Sequence, residues 1–314
     1  MGETPPAIVI AGPTASGKSA LALALAEALR GTIVNADSQQ IYRDLPILSA
    51  RPGAAAEARA PHRLYGHLDA AERGSAARWR SLALAAMGEA RGEGRLPILV
   101  GGTGLYLRAL LEGLAPIPAI PAAVREEAQE IYRRSGREGL RAALAALDPA
   151  GAAGLAPADV PRLLRAWEVV RATGLPIAEW RQRPSPGAPW RFATILLMPP
   201  RPALYAACDA RFAAMVEAGA LEEAAALAAR ALDPTLPAMK ALGMPQLLRH
   251  LRGELSLAEA ILLGQRATRN YAKRQTTWFR HQLAADLVLC EQFSERLLHR
   301  SRQFIDGFLL TRRD

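Results

Sequence analysis

Residues 7–19 read AIVIAGPTASGKS, and this stretch decides the fold. The first five residues form a short apolar run of the kind that fills a buried parallel strand. An Ala- and Leu-rich helix is predicted from about Ser19 to Leu29. Between strand and helix, eight residues match the pattern GxxxxGK[ST] of a phosphate-binding P-loop: Gly12, Pro13, Thr14, Ala15, Ser16, Gly17, Lys18 and Ser19.

The P-loop supplies the groups that hold phosphate. Its backbone N–H groups can gather at the helix N-terminus, Lys18 adds a point charge, and the Ser19 hydroxyl can ligate Mg²⁺. The pattern specifies phosphate, so a diphosphate on a non-nucleotide substrate fits it as well as ATP does. On the loop alone a kinase is the leading interpretation, and Thr32–Asp37 could then be the strand that ends in a metal-binding Asp.

Apolar runs further along the chain predict three more buried strands, at 32–36, 96–100 and 194–198. The run at 96–100 enters the turn Gly101-Gly102-Thr103-Gly104, and a helix is predicted from Leu105. Strands that alternate with helices predict an α/β fold with a doubly wound parallel sheet. Apolar stripes between 204 and 232 are explained by core packing.

A second domain interrupts this alternation. Proline-rich stretches at 115–121 and 183–189 enclose a segment from Val124 to about Trp180 that is helical throughout, with turns at 148–149 and 173–174. We therefore predict a P-loop NTPase-like core, a parallel sheet flanked by helices, formed by 1–115 and 191–314. An all-helical domain is inserted in it at 116–190.

Composition narrows the partners and the compartment. The formal charge of +9, carried mostly by Arg, fits a polyanionic partner such as RNA, although the codon bias of a GC-rich genome explains an Arg- and Ala-rich chain equally well. Cys208 and Cys290 lack the spacing of a disulfide scaffold or a zinc site, and we expect both to be buried. No signal peptide and no apolar stretch of ~18 residues is present, which predicts a cytoplasmic protein without a membrane segment.

Six blocks resemble, in the same order, motifs of the tRNA dimethylallyltransferases, also called tRNA isopentenyltransferases or the IPP transferase family. They are Asp37-Ser38-Gln39-Gln40-Ile41-Tyr42-Arg43, Pro61-His62-Arg63-Leu64, Val100-Gly101-Gly102-Thr103-Gly104-Leu105-Tyr106, Pro161-Arg162-Leu163-Leu164-Arg165-Ala166-Trp167-Glu168, Lys240-Ala241-Leu242-Gly243 and Tyr271-Ala272-Lys273-Arg274-Gln275-Thr276-Thr277-Trp278-Phe279-Arg280. The resemblance spans about residues 7–281. It implies transfer of a dimethylallyl group from dimethylallyl diphosphate to N6 of the adenosine 3′-adjacent to the anticodon, with Mg²⁺ as cofactor and a tRNA anticodon stem-loop as partner. We expect a monomer.

The resemblance also implies roles for single residues. Asp37 is the implied general base, Thr103 stabilises the departing diphosphate, and Arg125 is tied to catalysis. The remaining implied contacts are with tRNA: Asp37, Ser38, Gln39, Gln40, Pro161, Arg162, Leu163, Leu164, Arg165, Lys240, Gly243, Lys273, Arg274, Gln275, Trp278 and Arg280.

Elementary chemistry fits several of these roles. A carboxylate that follows a strand beside the P-loop can accept a proton from an attacking amine, although a kinase-type Mg²⁺ ligand and a helix cap are the alternatives for Asp37. Arg162 and Arg165 share one helix face and can grip RNA phosphates. Two further functions stay open at this point, a small-molecule or nucleoside kinase and a non-catalytic RNA-binding regulator.

The chain departs from the family pattern in three loops. Ser49 and Arg51 stand where the family has Thr and Lys, Tyr65-Gly66-His67 displaces an acidic residue, and Gly243 is followed by Met244 instead of Tyr.

Overall fold

The structure, a computed structural model, describes residues 4–156, 158–183 and 186–311. Six strands form one sheet: β1 (Pro6–Ala11), β2 (Gly31–Asn35), β3 (His62–Arg63), β4 (Leu96–Gly101), β5 (Arg191–Leu197) and β6 (Leu287–Leu289). All paired strands are parallel, in the order β3-β2-β4-β1-β5-β6. The predicted α/β fold with a parallel sheet flanked by helices is therefore confirmed.

Thirteen α-helices lie in the described ranges: α1 (Lys18–Ala28), α2 (Ala54–Glu57), α3 (Ala76–Gly92), α4 (Gly104–Leu111), α5 (Ala122–Leu147), α6 (Pro149–Gly154), α7 (Val160–Thr173), α8 (Ile177–Arg181), α9 (Arg201–Glu217), α10 (Ala220–Ala229), α11 (Met244–Leu251), α12 (Leu257–Gln282) and α13 (Glu295–Leu310). A 3-10 turn covers Ala238–Lys240. None of the helices in those ranges is both long and apolar enough to cross a membrane.

Both faces of the sheet are buried, which explains why its strands read as continuous apolar runs. Along β1, Ile8 and Ile10 point to the side covered by α1 and α13, while Val9 points to the side covered by α3 and α4. A third apolar cluster joins the loop after β2 to α9, α10 and α11, and it includes Tyr42, Leu45 and Phe212. The loop that carries the predicted active-site residues thus packs against helices that lie far along the chain.

The chain divides into two compact units, Met1–Leu111 with Ala188–Asp314 and Glu112–Gly187. These limits lie close to the predicted domain limits at 115/116 and 190/191. Residues 184 and 185, inside the proline-rich stretch at 183–189, lie outside the described residues.

The smaller unit is all helical and has a core of its own. Leu140, Leu144, Leu163 and Trp167 are buried between α5 and α7. The predicted turns are present: Asp148 ends α5 and its side chain accepts a hydrogen bond from the Gly151 N–H (2.8 Å). At the other turn, α7 ends at Gly174, which takes the left-handed backbone conformation (φ 70°).

Some elements were not predicted. The strands β3 and β6 have only two and three residues, too few to show a periodic pattern. The expectation that both cysteines are buried is half wrong, because Cys208 is buried and Cys290 is exposed.

Candidate active site

The P-loop follows β1, and two of its glycines leave no room for a side chain. A Cβ on Gly12 would lie 2.7 Å from the carbonyl oxygen of Leu197 in β5. Gly17 caps α1 with a left-handed backbone (φ 89°), and a Cβ there would lie 2.8 Å from Phe293. The loop therefore lies in a fixed position at the carboxyl end of the sheet, where open α/β sheets bind their ligands.

Lys18 is the buried cation of this loop. Its side chain is 8% exposed and its Nζ donates to the Pro13 carbonyl oxygen (3.3 Å). Burial lowers the pKa of Lys18 to about 8, although the negative charge of Asp37 acts in the opposite direction. A cation kept in surroundings that oppose its charge has a strong electrostatic reason to bind an anion.

Arg211 is a second cation at the P-loop. It projects from α9 and donates from its guanidinium to the Thr14 hydroxyl. Burial lowers its pKa, and its buried Nε has no hydrogen-bond partner among the described residues. Arg211, Lys18 and Ser19 line one pocket of about 290 Å³. This arrangement indicates a site for a multiply charged phosphate compound.

Sequence reasoning missed Arg211, because the stripes at 204–232 were assigned to core packing alone. A signal was available: Leu204, Cys208, Arg211 and Met215 follow helical spacing along one face of α9, and the other three are buried. A lone arginine in an apolar stripe indicates a buried charge that needs a partner.

Asp37 lies directly after β2, in a turn that fixes its backbone. The buried Asn35 side chain accepts from the Asp37 N–H (2.8 Å) and donates to the carbonyl oxygens of Asp37 and Leu64, both at 3.0 Å. Oδ1 of Asp37 accepts from the Gln39 N–H (2.9 Å). Within the described residues Oδ2 accepts no hydrogen bond, and the side chain is partly exposed. One carboxylate oxygen is therefore available to accept a proton.

Thr103 joins the Asp37 turn to the glycine-rich turn after β4. Its Oγ1 accepts from the Ser38 N–H (2.9 Å) and donates to Ser38 Oγ (3.1 Å), while its own N–H donates to the Ala36 carbonyl oxygen (3.3 Å). This close approach needs Gly101, since a Cβ there would collide with the Ala36 backbone. Asp37, Ser38 and Thr103, predicted from separate blocks, are thus brought together.

Three tyrosines surround this turn, namely Tyr65, Tyr106 and Tyr271. Burial raises the pKa of each, and the charge of Asp37 adds to that effect. The charge of Asp37 thus acts on all three phenols as well as on Lys18, which places its carboxylate near each of these groups.

Four more predicted residues of the larger unit lie in the loop after β2 and near the start of α11. The Gln40 side chain donates to the carbonyl oxygens of Ser49 (3.0 Å) and Ala50 (2.9 Å). In the part of the chain that the structure describes, the buried Oε1 of Gln39 has no hydrogen-bond partner. Lys240 is exposed. Gly243, in contrast, is buried with a left-handed backbone (φ 89°), and a Cβ would collide with Phe212. We therefore assign Gly243 a packing role instead of the predicted RNA contact.

The block in α12 is split between the surface and the interior. Lys273, Arg274 and Arg280 are exposed, and Lys273 and Arg280 border a cavity of about 570 Å³. Trp278 is partly buried, with its ring against Gly104. Gln275 is 6% exposed and both atoms of its amide bond to other loops, which corrects its predicted role as an RNA contact.

The predicted residues of the smaller unit lie on α5 and α7. Arg125, Pro161, Arg162 and Arg165 are exposed. Burial raises the pKa of the half-buried Glu168, and the charges of Arg165 and Arg125 act in the opposite direction. Leu164 is partly buried. The side chain of Leu163 is fully buried, which rules out the direct RNA contact predicted for it.

Comparison with known proteins shows the family of the chain. The sequence model described as IPP transferase matches residues 40–282. The chain belongs to the IPP transferase family. It is 62% identical over 289 residues to a tRNA dimethylallyltransferase of Rhodospirillum centenum, a match that covers 91% of each chain. A tRNA dimethylallyltransferase of Rhodospirillum rubrum is 55% identical over 312 residues, covering 98% of this chain and 96% of the relative.

Solved structures of IPP transferases are similar over nearly the whole chain. A tRNA isopentenylpyrophosphate transferase of Bacillus halodurans is 31% identical, with a TM-score of 0.70 and coverage of 97% of this chain and 96% of that one. A eukaryotic dimethylallyltransferase acting on tRNA is 26% identical, with a TM-score of 0.82 and coverage of 97% and 80%. The kinase alternative receives no support from these comparisons.

Proposed function

We propose that this IPP transferase moves a dimethylallyl group from dimethylallyl diphosphate to N6 of the adenosine 3′-adjacent to the anticodon of tRNA. The observation that carries the proposal is the single cluster that combines a phosphate site, Lys18 and Arg211, with a carboxylate, Asp37, that has a free oxygen. The two cations can bind the diphosphate of the donor, and the carboxylate can accept the proton that the acceptor loses.

The reaction is a substitution at the allylic carbon. The N6 lone pair attacks that carbon, the C–O bond to the diphosphate breaks, and the bonding electrons leave on the diphosphate oxygen. Asp37 accepts the proton that N6 loses, because a neutral exocyclic amine is a weak nucleophile and would otherwise become cationic. Lys18, Arg211 and the loop N–H groups stabilise the charge that grows on the diphosphate.

Mg²⁺ is proposed as the cofactor because the donor set at the P-loop fits it. Ser19 is exposed in the first turn of α1, beside Lys18 in the same pocket. The described residues contain no group of three or more His, Cys, Asp or Glu side chains that could hold a metal. Mg²⁺ commonly keeps one or two protein ligands and takes the others from phosphate and water, so Ser19 would hold it. Bound there, the ion would supply further neutralisation of diphosphate charge.

The acceptor must be extruded from its RNA before N6 can react, since an adenosine stacked in a loop is shielded. The half-buried Ser38 and Gln39 flank the Asp37 carboxylate and offer hydroxyl and amide groups for the base edge. The exposed cations of α7 and α12 are proposed to bind the phosphates of the anticodon stem-loop. A monomeric state and a cytoplasmic location stay predictions.

The test is an incubation of the chain with Mg²⁺, dimethylallyl diphosphate and a synthetic anticodon stem-loop, analysed by mass spectrometry of the digested nucleosides. The expected product is adenosine that carries one dimethylallyl group on N6. A stem-loop with guanosine at the acceptor position is the matched control and should stay unmodified. A phosphorylated product when ATP replaces the diphosphate, or stem-loop binding without any turnover, would contradict the proposal.

A further inference from the structure

Gln275 connects two loops that are far apart in sequence. It lies in α12 and is 6% exposed. Its Oε1 accepts from the Thr14 N–H of the P-loop, and its Nε2 donates to the Gly102 carbonyl oxygen, both at 2.8 Å. One buried side chain thus bonds to the loop after β1 and to the loop after β4.

The bridge requires a primary amide of this length. A carboxylate would accept from the Thr14 N–H but would face the Gly102 carbonyl oxygen with negative charge, and a methionine would make neither bond. The site also requires the glycine, because a Cβ on Gly102 would collide with Gln275 Nε2. Buried polar groups left without partners are costly, so the geometry is strongly determined.

The two connected loops hold opposite ends of the reaction. Thr14 belongs to the loop proposed for the diphosphate, and its hydroxyl contacts Arg211. Gly102 precedes Thr103, whose hydroxyl bonds to Ser38 in the turn that carries Asp37. The bridge therefore lies between the group that would hold the leaving diphosphate and the group that would accept the proton.

We propose that Gln275 is a positioning residue that sets the spacing between the P-loop and the Asp37 turn. The inference rests on the proposed prenyl transfer and replaces the RNA contact that the family resemblance implied for this side chain. Substitution at an allylic carbon needs nucleophile and leaving group in line, and a displacement of about 1 Å can lower a rate by roughly 100-fold. Gln275 acts through the loops without touching either substrate.

The experiment uses the full-length chain with the substitution Gln275→Met. We measure the dissociation constants of inorganic pyrophosphate and of the anticodon stem-loop, and the single-turnover rate with both substrates saturating. The expected result is an unchanged stem-loop affinity, pyrophosphate binding weaker by several fold, and a rate lower by roughly 100-fold. Gln282→Met, an exposed position on the same helix, is the matched control and should behave as wild type.

A second variant, Gly102→Ala, changes the residue to which Gln275 Nε2 donates. Gly102→Ala should displace the Gln275 amide and lower the rate in the same way, and the double variant should be little worse than either single one. Multiplied effects of the two substitutions would overturn the proposal, as would a weaker stem-loop affinity with unchanged pyrophosphate binding. Failure of the wild type to prenylate RNA would instead reject the proposed function, and pyrophosphate binding would still test the bridge.

Discussion

Lys18 and Arg211 stand out among the single residues because burial opposes the charge of each. A bound diphosphate would supply negative charge that compensates these two buried cations. Arg211 also bonds to the Thr14 hydroxyl, so part of its orientation is set before any ligand arrives. Such preorganisation lowers the cost of binding a highly charged group.

The lowered pKa of Lys18, about 8, predicts a pH dependence of diphosphate binding. Below that pKa the ammonium is charged in the free protein and attracts the anion, whereas above it the proton must first be taken up. Pyrophosphate affinity of the wild type should therefore fall as pH rises through about 8, relative to Lys18→Ala. Calorimetric titrations measure the pyrophosphate affinity of both proteins across this pH range. Because pyrophosphate itself titrates equally in both experiments, the difference between the two affinities reports Lys18 alone.

The Lys18→Ala variant should lose turnover mainly through the allylic diphosphate, because the charge it lacks belongs to that site. Its affinity for the anticodon stem-loop should match wild type in filter-binding or fluorescence titrations. A parallel loss of stem-loop binding would mean that the P-loop does not hold the diphosphate.

Among single residues, the sequence indicates candidate reacting groups more readily than the residues that hold them in place, and the catalytic roles of Asp37 and Thr103 stay predictions. Asp37 and Thr103 could be predicted because they follow strands in motif-bearing turns. Asn35 could not, since its importance depends on which backbone groups the fold brings near it. Arg211 did leave a signal, its place in the apolar stripe of α9, but that stripe was assigned to core packing alone. Gln275 was recognised as an RNA contact, although it follows helical spacing with Ala272 and Phe279 on the buried face of α12. That spacing predicts burial but not which two loops its amide bonds to.

Among the elements, α10 supports the loop after β2 through one carboxylate. The two oxygens of Glu223 accept from the N–H groups of Ile47 (2.7 Å) and Leu48 (2.9 Å). This loop contains two of the departures from the family pattern, Ser49 and Arg51. Its backbone is nevertheless fixed from α10 on one side and by Gln40 on the other.

Glu223→Gln should destabilise the fold by about 1–2 kcal/mol, because an amide can accept from only one of the two N–H groups and points its own N–H₂ at the other. Urea unfolding followed by circular dichroism measures the change. Glu222→Gln is the matched control, as that side chain is exposed on the same helix. Equal stability of the two variants would show that the paired acceptor adds nothing.

In the helical unit, α7 carries Arg162 and Arg165, whose ion pairs with Asp159 (3.3 Å) and Glu168 (3.7 Å) leave both guanidinium groups largely exposed. The Arg162–Asp159 pair is largely exposed and contributes little, so phosphate can replace Asp159. Glu168 is only 13% exposed, but the guanidinium of Arg165 has further N–H groups that can donate to a phosphate. The double variant Arg162→Ala/Arg165→Ala should weaken stem-loop binding, leave pyrophosphate binding intact, and reduce the slope of log affinity against log salt by about 1.5.

The control for this experiment removes the same charge elsewhere. Arg296 and Arg302 are exposed on α13, outside every predicted contact, and Arg296→Ala/Arg302→Ala should keep the wild-type slope. Equal slopes for all three proteins would remove α7 from the RNA-binding surface.

The short strands β3 and β6 could not be predicted from the sequence, because their pairing partners, not their own two or three residues, define them.

For the whole molecule, the order of elements followed from the sequence because strands, helices and proline-rich breaks alternate with clear spacing. Charge on its own left an RNA partner and genomic bias equally plausible. The distinction came from membership of the IPP transferase family. The structure adds that an anion site and a carboxylate turn, with 17 residues between Ser19 and Asp37, both lie at the carboxyl end of the sheet. We propose that this end of the sheet performs prenyl transfer with Asp37 as its base.

The most direct test of that claim is single-turnover prenyl transfer to an anticodon stem-loop, measured against Mg²⁺ concentration for wild type and Asp37→Asn. The amide keeps the shape of the carboxylate but cannot take the proton, so the rate should fall by roughly 10²–10⁴ at every Mg²⁺ concentration. Pyrophosphate binding should stay near the wild-type value. Recovery of the Asp37→Asn rate in excess Mg²⁺ would instead identify Asp37 as a metal ligand and contradict its assignment as the base.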